Sequence, residues 1–137
     1  MKTSAEVLAY VDTSALTKFI VAEPGTVELR DALAAADLVS SALAKIELRR
    51  ATLRLGHREA LRRADALIER VALVTVDDAI LDVASRLEPP TLRSLDALHL
   101  ATALGLAAQL DTFVSYDHRL TSAAMVHGLE VSSPGVP

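Results

Sequence analysis

Val7-Leu8-Ala9-Tyr10-Val11-Asp12-Thr13-Ser14-Ala15-Leu16-Thr17-Lys18-Phe19-Ile20-Val21-Ala22 carries the logic of the whole chain. Val7 to Val11 is an apolar run of strand length, an acid follows at once, and Ser14 to Ala22 reads as a helix stopped ahead of Pro24. The same alternation recurs downstream. Val27 to Ala36 is a second helical segment, Asp37 to Ser40 a short strand, and Ala42 to Leu55 a helix expected to end on a C-cap at Gly56. Arg58 to Arg70 is amphipathic, and Val71 to Val76 is a β-branched run ending at Asp77, a natural N-cap for a helix over 78–87. After Pro89-Pro90, Ser94 is the expected cap of an apolar helix from Leu95 to Ala108, Thr112 to Ser115 a strand, Arg119 to Val126 a helix and Leu129 to Val131 a last strand. Strands alternating with helices need crossover connections, which place parallel strands in a sheet covered on both faces. The expectation is a three-layer α/β/α fold with four to five short parallel strands.

The chain has 137 residues, room for one domain with one hydrophobic core, and 51% hydrophobic against 23% charged residues excludes a disordered segment. With no cysteine, disulfides, thiolate metal sites and a cysteine nucleophile are all excluded. The apolar run before Asp12 is too short for a signal-peptide core, and Leu95 to Leu110 is interrupted by Asp96 and His99, so no membrane span is expected and a cytoplasmic location is. The net charge of −4 argues against nucleic-acid binding by general attraction. That average hides an asymmetry: seven arginines between Arg49 and Arg70 face only Glu59, Asp65 and Glu69, so the segment is +4 and the remainder of the chain −8.

In a parallel sheet the ligand crevice lies at the carboxyl ends of the strands. Asp12 and Asp117 each follow a strand. Asp77 does too, but is read as a helix cap. Glu47 projects from or beside an apolar stripe, with Leu43 and Ala51 four residues to either side, and Asp96 stands in the first turn of a helix that is apolar nearly all round. Four carboxylates converging on one rim repel unless a cation neutralises them, and oxygen-only ligands select a hard ion, Mg²⁺ or Mn²⁺.

Four segments, Tyr10-Val11-Asp12-Thr13-Ser14-Ala15-Leu16, Ala44 to Ala51 around Glu47, Leu92-Arg93-Ser94-Leu95-Asp96-Ala97-Leu98-His99 through Ala103, and Phe113-Val114-Ser115-Tyr116-Asp117-His118-Arg119-Leu120, resemble in order the four acidic motifs of PIN-domain ribonucleases, with the nearest likeness to VapC-type toxins of bacterial toxin-antitoxin pairs. The resemblance runs from about Tyr10 to Val131. It implies an endoribonuclease using Mg²⁺ or Mn²⁺, with Asp12, Glu47, Asp96 and Asp117 as its metal-binding acids, a homodimer, and a cognate antitoxin whose tail fills the acidic groove. Thr13, Ser14 and Ser115 are then candidates to orient the acids or a metal-bound water. His99 matches a histidine of the family pattern, yet reads as a satisfied core histidine rather than a ligand.

The chemistry expected is water attack on a phosphodiester, leaving a 5′-phosphate and a 3′-hydroxyl, with Asp12 at the centre of the crevice touching more than one metal. Arg49, Arg50 and Arg54 are candidates to grip the RNA backbone, against the plainer reading of a solvated helix face. A phosphoacceptor receiver domain is the binding-switch alternative, but it needs a lysine near the last strands, and the only lysines are Lys2, Lys18 and Lys45. A haloacid-type phosphohydrolase wants Asp where Ser14 stands. An inert PIN-fold partner-binding module is the third alternative.

Overall fold

The computed structural model describes residues 7–136; the leading residues 1–6, which entered the signal-peptide reading, and residue 137 lie outside it. Five parallel strands, β1 (Val7–Val11), β2 (Ala36–Ser41), β3 (Val71–Val74), β4 (Thr112–Val114) and β5 (Val131–Ser132), form one sheet in the order β3-β2-β1-β4-β5. The expected α/β/α architecture is therefore present. β1 is the middle strand, and the order reverses direction on either side of it: β2 and β3 lie to one side, β4 and β5 to the other. Such a reversal opens a crevice at the carboxyl end of the central strands.

Where the sequence reading expects one hydrophobic core there are two, because alternation along β1 sends its side chains to opposite faces of the sheet. Ala9 and Val11 pack into the core beneath α1 (Thr13–Ile20), α2 (Thr26–Leu33), α3 (Leu43–Leu55) and α4 (Arg58–Arg70), with Leu16, Leu29, Leu48 and Leu67. Tyr10 packs on the opposite face with Leu100, Phe113 and Leu120, beneath α6 (Ser94–Leu104) and α7 (His118–Val126), while α5 (Asp78–Arg86) lies against α6. The Tyr10 and Phe113 rings stack with centroids 5.2 Å apart, planes 5° from parallel.

Most boundaries differ from the sequence reading by one to four residues: Ala36, read as the end of the second helix, opens β2, because α2 already stops at Leu33. Ser94 is not the cap of α6 but its first residue; Arg93 occupies the N-cap position and its side chain makes no capping bond. That helix ends at Leu104, because from Gly105 the amides bond mostly three residues back, Leu106 to Ala103 and Ala107 to Leu104, in tight turns that bring Leu106 and Leu110 against the core. β3 stops at Val74, where its partner β2 runs out at Ser41. β5 starts at Val131 because the Leu129 amide is still bonded to Ala124 O, and Gly128 (φ 91°) turns the chain out of α7. Gly56 is the left-handed C-cap expected, at φ 71°. Among the described residues no helix is long and apolar enough to cross a membrane.

Candidate active site

Asp12 ends β1 and caps α1. Its backbone is extended (φ −83°, ψ 178°), and Oδ1 accepts the Ala15 amide at 3.0 Å. Two hydroxyls complete its surroundings: Ser14 Oγ donates to Oδ1 and Ser115 Oγ to Oδ2, both at 2.6 Å. The residue is only 4% exposed. Burial pushes its carboxyl above the ordinary aspartate value, while Ser115, Ser14 and the Ala15 amide pull the other way without cancelling it. Each serine is itself tied to the neighbouring strand's loop. Ser14 Oγ accepts the Tyr116 amide at 2.9 Å, and Ser115 Oγ accepts the Asp117 amide at 3.1 Å.

Asp117, just beyond β4, caps α7 with Oδ1 accepting the amides of Arg119 and Leu120. Oδ2 faces Arg93, whose Nη2 lies 3.9 Å away, and Arg93 Nε lies 3.7 Å from Asp96 Oδ2 in the first turn of α6. The Asp96 carboxyl is raised by burial, by the negative charge of Asp117 and more weakly by that of Asp12, against the lowering pull of Arg93 and His99. Asp12, Asp96 and Asp117 therefore share one electrostatic neighbourhood.

Glu47 stands apart from that trio in its contacts. From the second turn of α3 its Oε1 accepts Thr13 Oγ1 at 2.8 Å and pairs with His99 Nε2 at 2.8 Å. Burial alone would raise this carboxyl, but the hydrogen bond and charge of His99, with the Thr13 hydroxyl, hold it below the ordinary glutamate value. His99 is 2% exposed, and its Nδ1 bonds the Tyr10 hydroxyl at 2.7 Å, which in turn accepts the Ser41 amide at 3.1 Å. Burial drives the Tyr10 phenol well above its ordinary value, so it stays neutral beside the imidazole. His99 is thus a core histidine with both ring nitrogens satisfied, as read from the sequence, but one of its partners is a candidate site acid. Tyr10 and Arg93 escaped the sequence reading. The signal for Tyr10 was a polar-tipped ring inside an apolar strand; for Arg93, its place three residues ahead of Asp96 at a helix start.

As they stand, no three His, Asp or Glu side chains among the described residues are gathered closely enough to hold a metal ion. Arg93 lies between two of the acids and Glu47 is drawn to Thr13 and His99. Beside this rim a cleft of about 610 Å³ is lined by Pro89, Thr91, His118, Arg119 and Ser122.

Of the three arginines expected to face RNA, Arg49 is engaged elsewhere: its Nε bonds Asp65 Oδ1 on α4 at 2.9 Å. Helical geometry explains the split. Arg50 and Arg54, three and seven residues after Glu47, share its face of α3, whereas Arg49 is turned about 200° away at 100° per residue. Arg50 and Arg54 are exposed.

The described residues form a parallel α/β domain whose candidate acids lie near the switch point of its sheet. Residues 9–125 match the family model of the PIN domain. The chain is 40% identical over 133 residues to ribonuclease VapC47 of Mycobacterium tuberculosis, covering 93% of this chain and 98% of that protein. It is 44% identical over 128 residues to ribonuclease VapC46 of the same species, covering 91% and 96%. Its fold is similar to a toxin-antitoxin complex from Klebsiella pneumoniae (TM-score 0.67, 17% identity, 92% of this chain and 97% of that one). It is similar too to VapBC2 from Rickettsia felis bound to a promoter DNA fragment (TM-score 0.67, 12% identity, 92% and 98%). The chain belongs to the PIN domain family.

Proposed function

We propose that this protein is a divalent-metal-dependent endoribonuclease, the toxin of a toxin-antitoxin pair. The observation that carries the reading is geometric: Arg93 stands 3.7 Å from Asp96 and 3.9 Å from Asp117, while Asp12 ends in the same crevice with both oxygens held by Ser14 and Ser115 at the sheet's switch point. Acids held so against mutual repulsion suit a cation. The 38–44% identity to proteins named ribonuclease VapC supports RNA as the substrate.

The donor set fits a hard metal. It consists of carboxylate oxygens, with hydroxyls around them and no sulfur. Asp12, Asp96 and Asp117 would hold Mg²⁺ or Mn²⁺ with Glu47 completing the set, and such an ion supplies an activated water and neutralises charge at the leaving oxygen. The protein's own part is orientation. Ser14 and Ser115 fix both oxygens of Asp12 in one plane, and Ser115 couples Asp12 to the Asp117 backbone. Thr13 and His99 both hold Oε1 of Glu47 and so fix its carboxylate. In this reading Arg50 and Arg54, exposed on the Glu47 face of α3, are the residues that track the RNA backbone.

An antitoxin is the proposed protein partner, supported by the toxin-antitoxin complexes among the fold's neighbours. An apolar groove of about 330 Å³ between α1 and α3, lined by Thr17, Ile20, Val21, Ala51 and Leu55, is a receptive surface for it. A homodimer is supported by α5, which buries none of its residues and leaves Leu81 and Val83 nearly half exposed.

The test is cleavage of structured RNAs by purified protein with Mg²⁺, with Mn²⁺ and with chelator, followed by mapping of the ends. Metal-dependent internal cuts bearing 5′-phosphate and 3′-hydroxyl are expected; absence of cleavage with either ion across a broad RNA panel favours the inert binding module.

A further inference from the structure

Arg93 is set between two of the rim acids, Asp96 and Asp117, without a hydrogen bond to either. It lies 3.7 Å from Asp96 Oδ2 and 3.9 Å from Asp117 Oδ2, both beyond hydrogen-bond reach, and its side chain is 69% exposed. At the N-cap of α6 it makes no capping bond either. The guanidinium is therefore held by the field of two carboxylates and not by directed bonds, and most of it is open to solvent. An exposed tether of this kind exchanges partners easily, since little desolvation or geometry is lost when it leaves. The loop that delivers it, with Pro89 and Thr91, also forms one wall of the adjoining cleft, and His118 and Arg119 after Asp117 form another.

We propose that Arg93 is a substrate-contacting residue: its guanidinium lies over Asp96 and Asp117 in the protein alone and pairs with a non-bridging oxygen of the RNA phosphate when substrate is bound. The inference rests on the nuclease reading above. Its logic is electrostatic. A cleft of carboxylates repels a phosphodiester, and a planar guanidinium carries the N–H fork that matches phosphate oxygens in pairs. While it rests on the two acids the same charge opposes a divalent cation there, so Arg93 acts with opposite sign on the two ligands of the site, against the metal and for the RNA.

That opposition gives the test. Mn²⁺ affinity is measured without RNA by electron paramagnetic resonance of the free ion, and kcat/KM on a labelled RNA is measured at saturating Mn²⁺ across a salt series, for wild type, Arg93→Gln and Arg93→Lys. Arg93→Gln is expected to bind Mn²⁺ about three- to tenfold more tightly, the effect of removing one screened like charge a few ångströms away. It is also expected to cleave about tenfold or more slowly, with the salt slope reduced by roughly 0.7, one phosphate contact on a single strand. Arg93→Lys should return Mn²⁺ affinity to near wild type and recover only part of the cleavage, because a point charge replaces the fork. The exposed position leaves both variants folded, as melting curves check. Tighter Mn²⁺ binding with undiminished cleavage overturns the proposal and makes Arg93 a competitor of the metal only. Unchanged or weaker Mn²⁺ binding also overturns it and leaves a structural ion pair. Wild-type protein that neither binds Mn²⁺ nor cleaves overturns the nuclease reading itself, a result distinct from either.

Discussion

Val11-Asp12-Thr13 at the end of β1 and Val76-Asp77-Asp78 after β3 are locally alike. Each aspartate follows a strand on extended backbone and caps the next helix by accepting an amide three residues on, Ala15 at 3.0 Å and Ile80 at 2.9 Å. Their surroundings are opposite. Asp12 ends the central strand of five, is 4% exposed and is clasped by two serines; Asp77 follows an edge strand and is exposed. Capping therefore does not separate a helix-start acid from a candidate site acid, since Asp12, Asp77 and Asp117 all cap. Place in the sheet does. A middle strand delivers its carboxylate where neighbouring loops converge, and there burial raises the carboxyl and calls for partners.

The comparison breaks most visibly by neutralising each acid in turn. Asp12→Asn is expected to lower metal-dependent cleavage by about a hundredfold or more, because the amide keeps the shape and loses the charge that holds the ion. Asp77→Asn should leave the rate within about twofold, and Asp77→Ala should cost only the cap, about 1 kcal/mol by denaturant titration. Equal losses of activity at both positions would make the distinction between them false.

Ser115→Ala sharpens it. The hydroxyl that donates to Asp12 and accepts from the Asp117 amide is lost, and a fall in kcat of about 10- to 100-fold is expected with KM for RNA little changed.

A smaller effect separates stability from function. The Asp96 carboxyl is raised in the folded protein, so the folded state binds more protons than the unfolded chain between the ordinary value and the raised one, and stability falls as pH climbs through that window. Glu47 runs the other way: its lowered carboxyl adds stability above its unfolded value, lost as pH falls through the folded one. In chelator near neutral pH, Asp96→Asn should melt at or above wild type, and the two should draw together as pH drops through the raised Asp96 value. Millimolar Mg²⁺ should then favour wild type, which alone retains the full ligand set. A variant less stable in chelator that gains as much from Mg²⁺ as wild type would reduce Asp96 to a helix-start residue.

The smallest effect compares the arginines of α3. Arg54→Gln should flatten the salt dependence of RNA binding by roughly 0.7 in slope, whereas Arg49→Gln should leave the slope unchanged, since its guanidinium already serves Asp65.

Much of this protein was legible as sequence. Apolar runs of strand length set between helical periodicities led to a parallel α/β/α sheet, because periodicity reports which face of an element is buried. Arg58 to Arg70 was placed to the residue and Gly56 as a C-cap, each from a local backbone or patterning requirement. Four acids in motif order led to the family. What the chain could not reveal is which groups meet. Glu47 finds His99 52 residues away, His99 finds Tyr10 89 away, and Ser115 finds Asp12 103 away. Pairings at such separations are set by strand order and by how helices lie across the sheet, since hydrogen bonds act over about 3 Å and carry no trace along the chain. The same reason put Arg49 with Asp65 and Arg93 between Asp96 and Asp117: charge is written in the sequence, but its partner is chosen by packing.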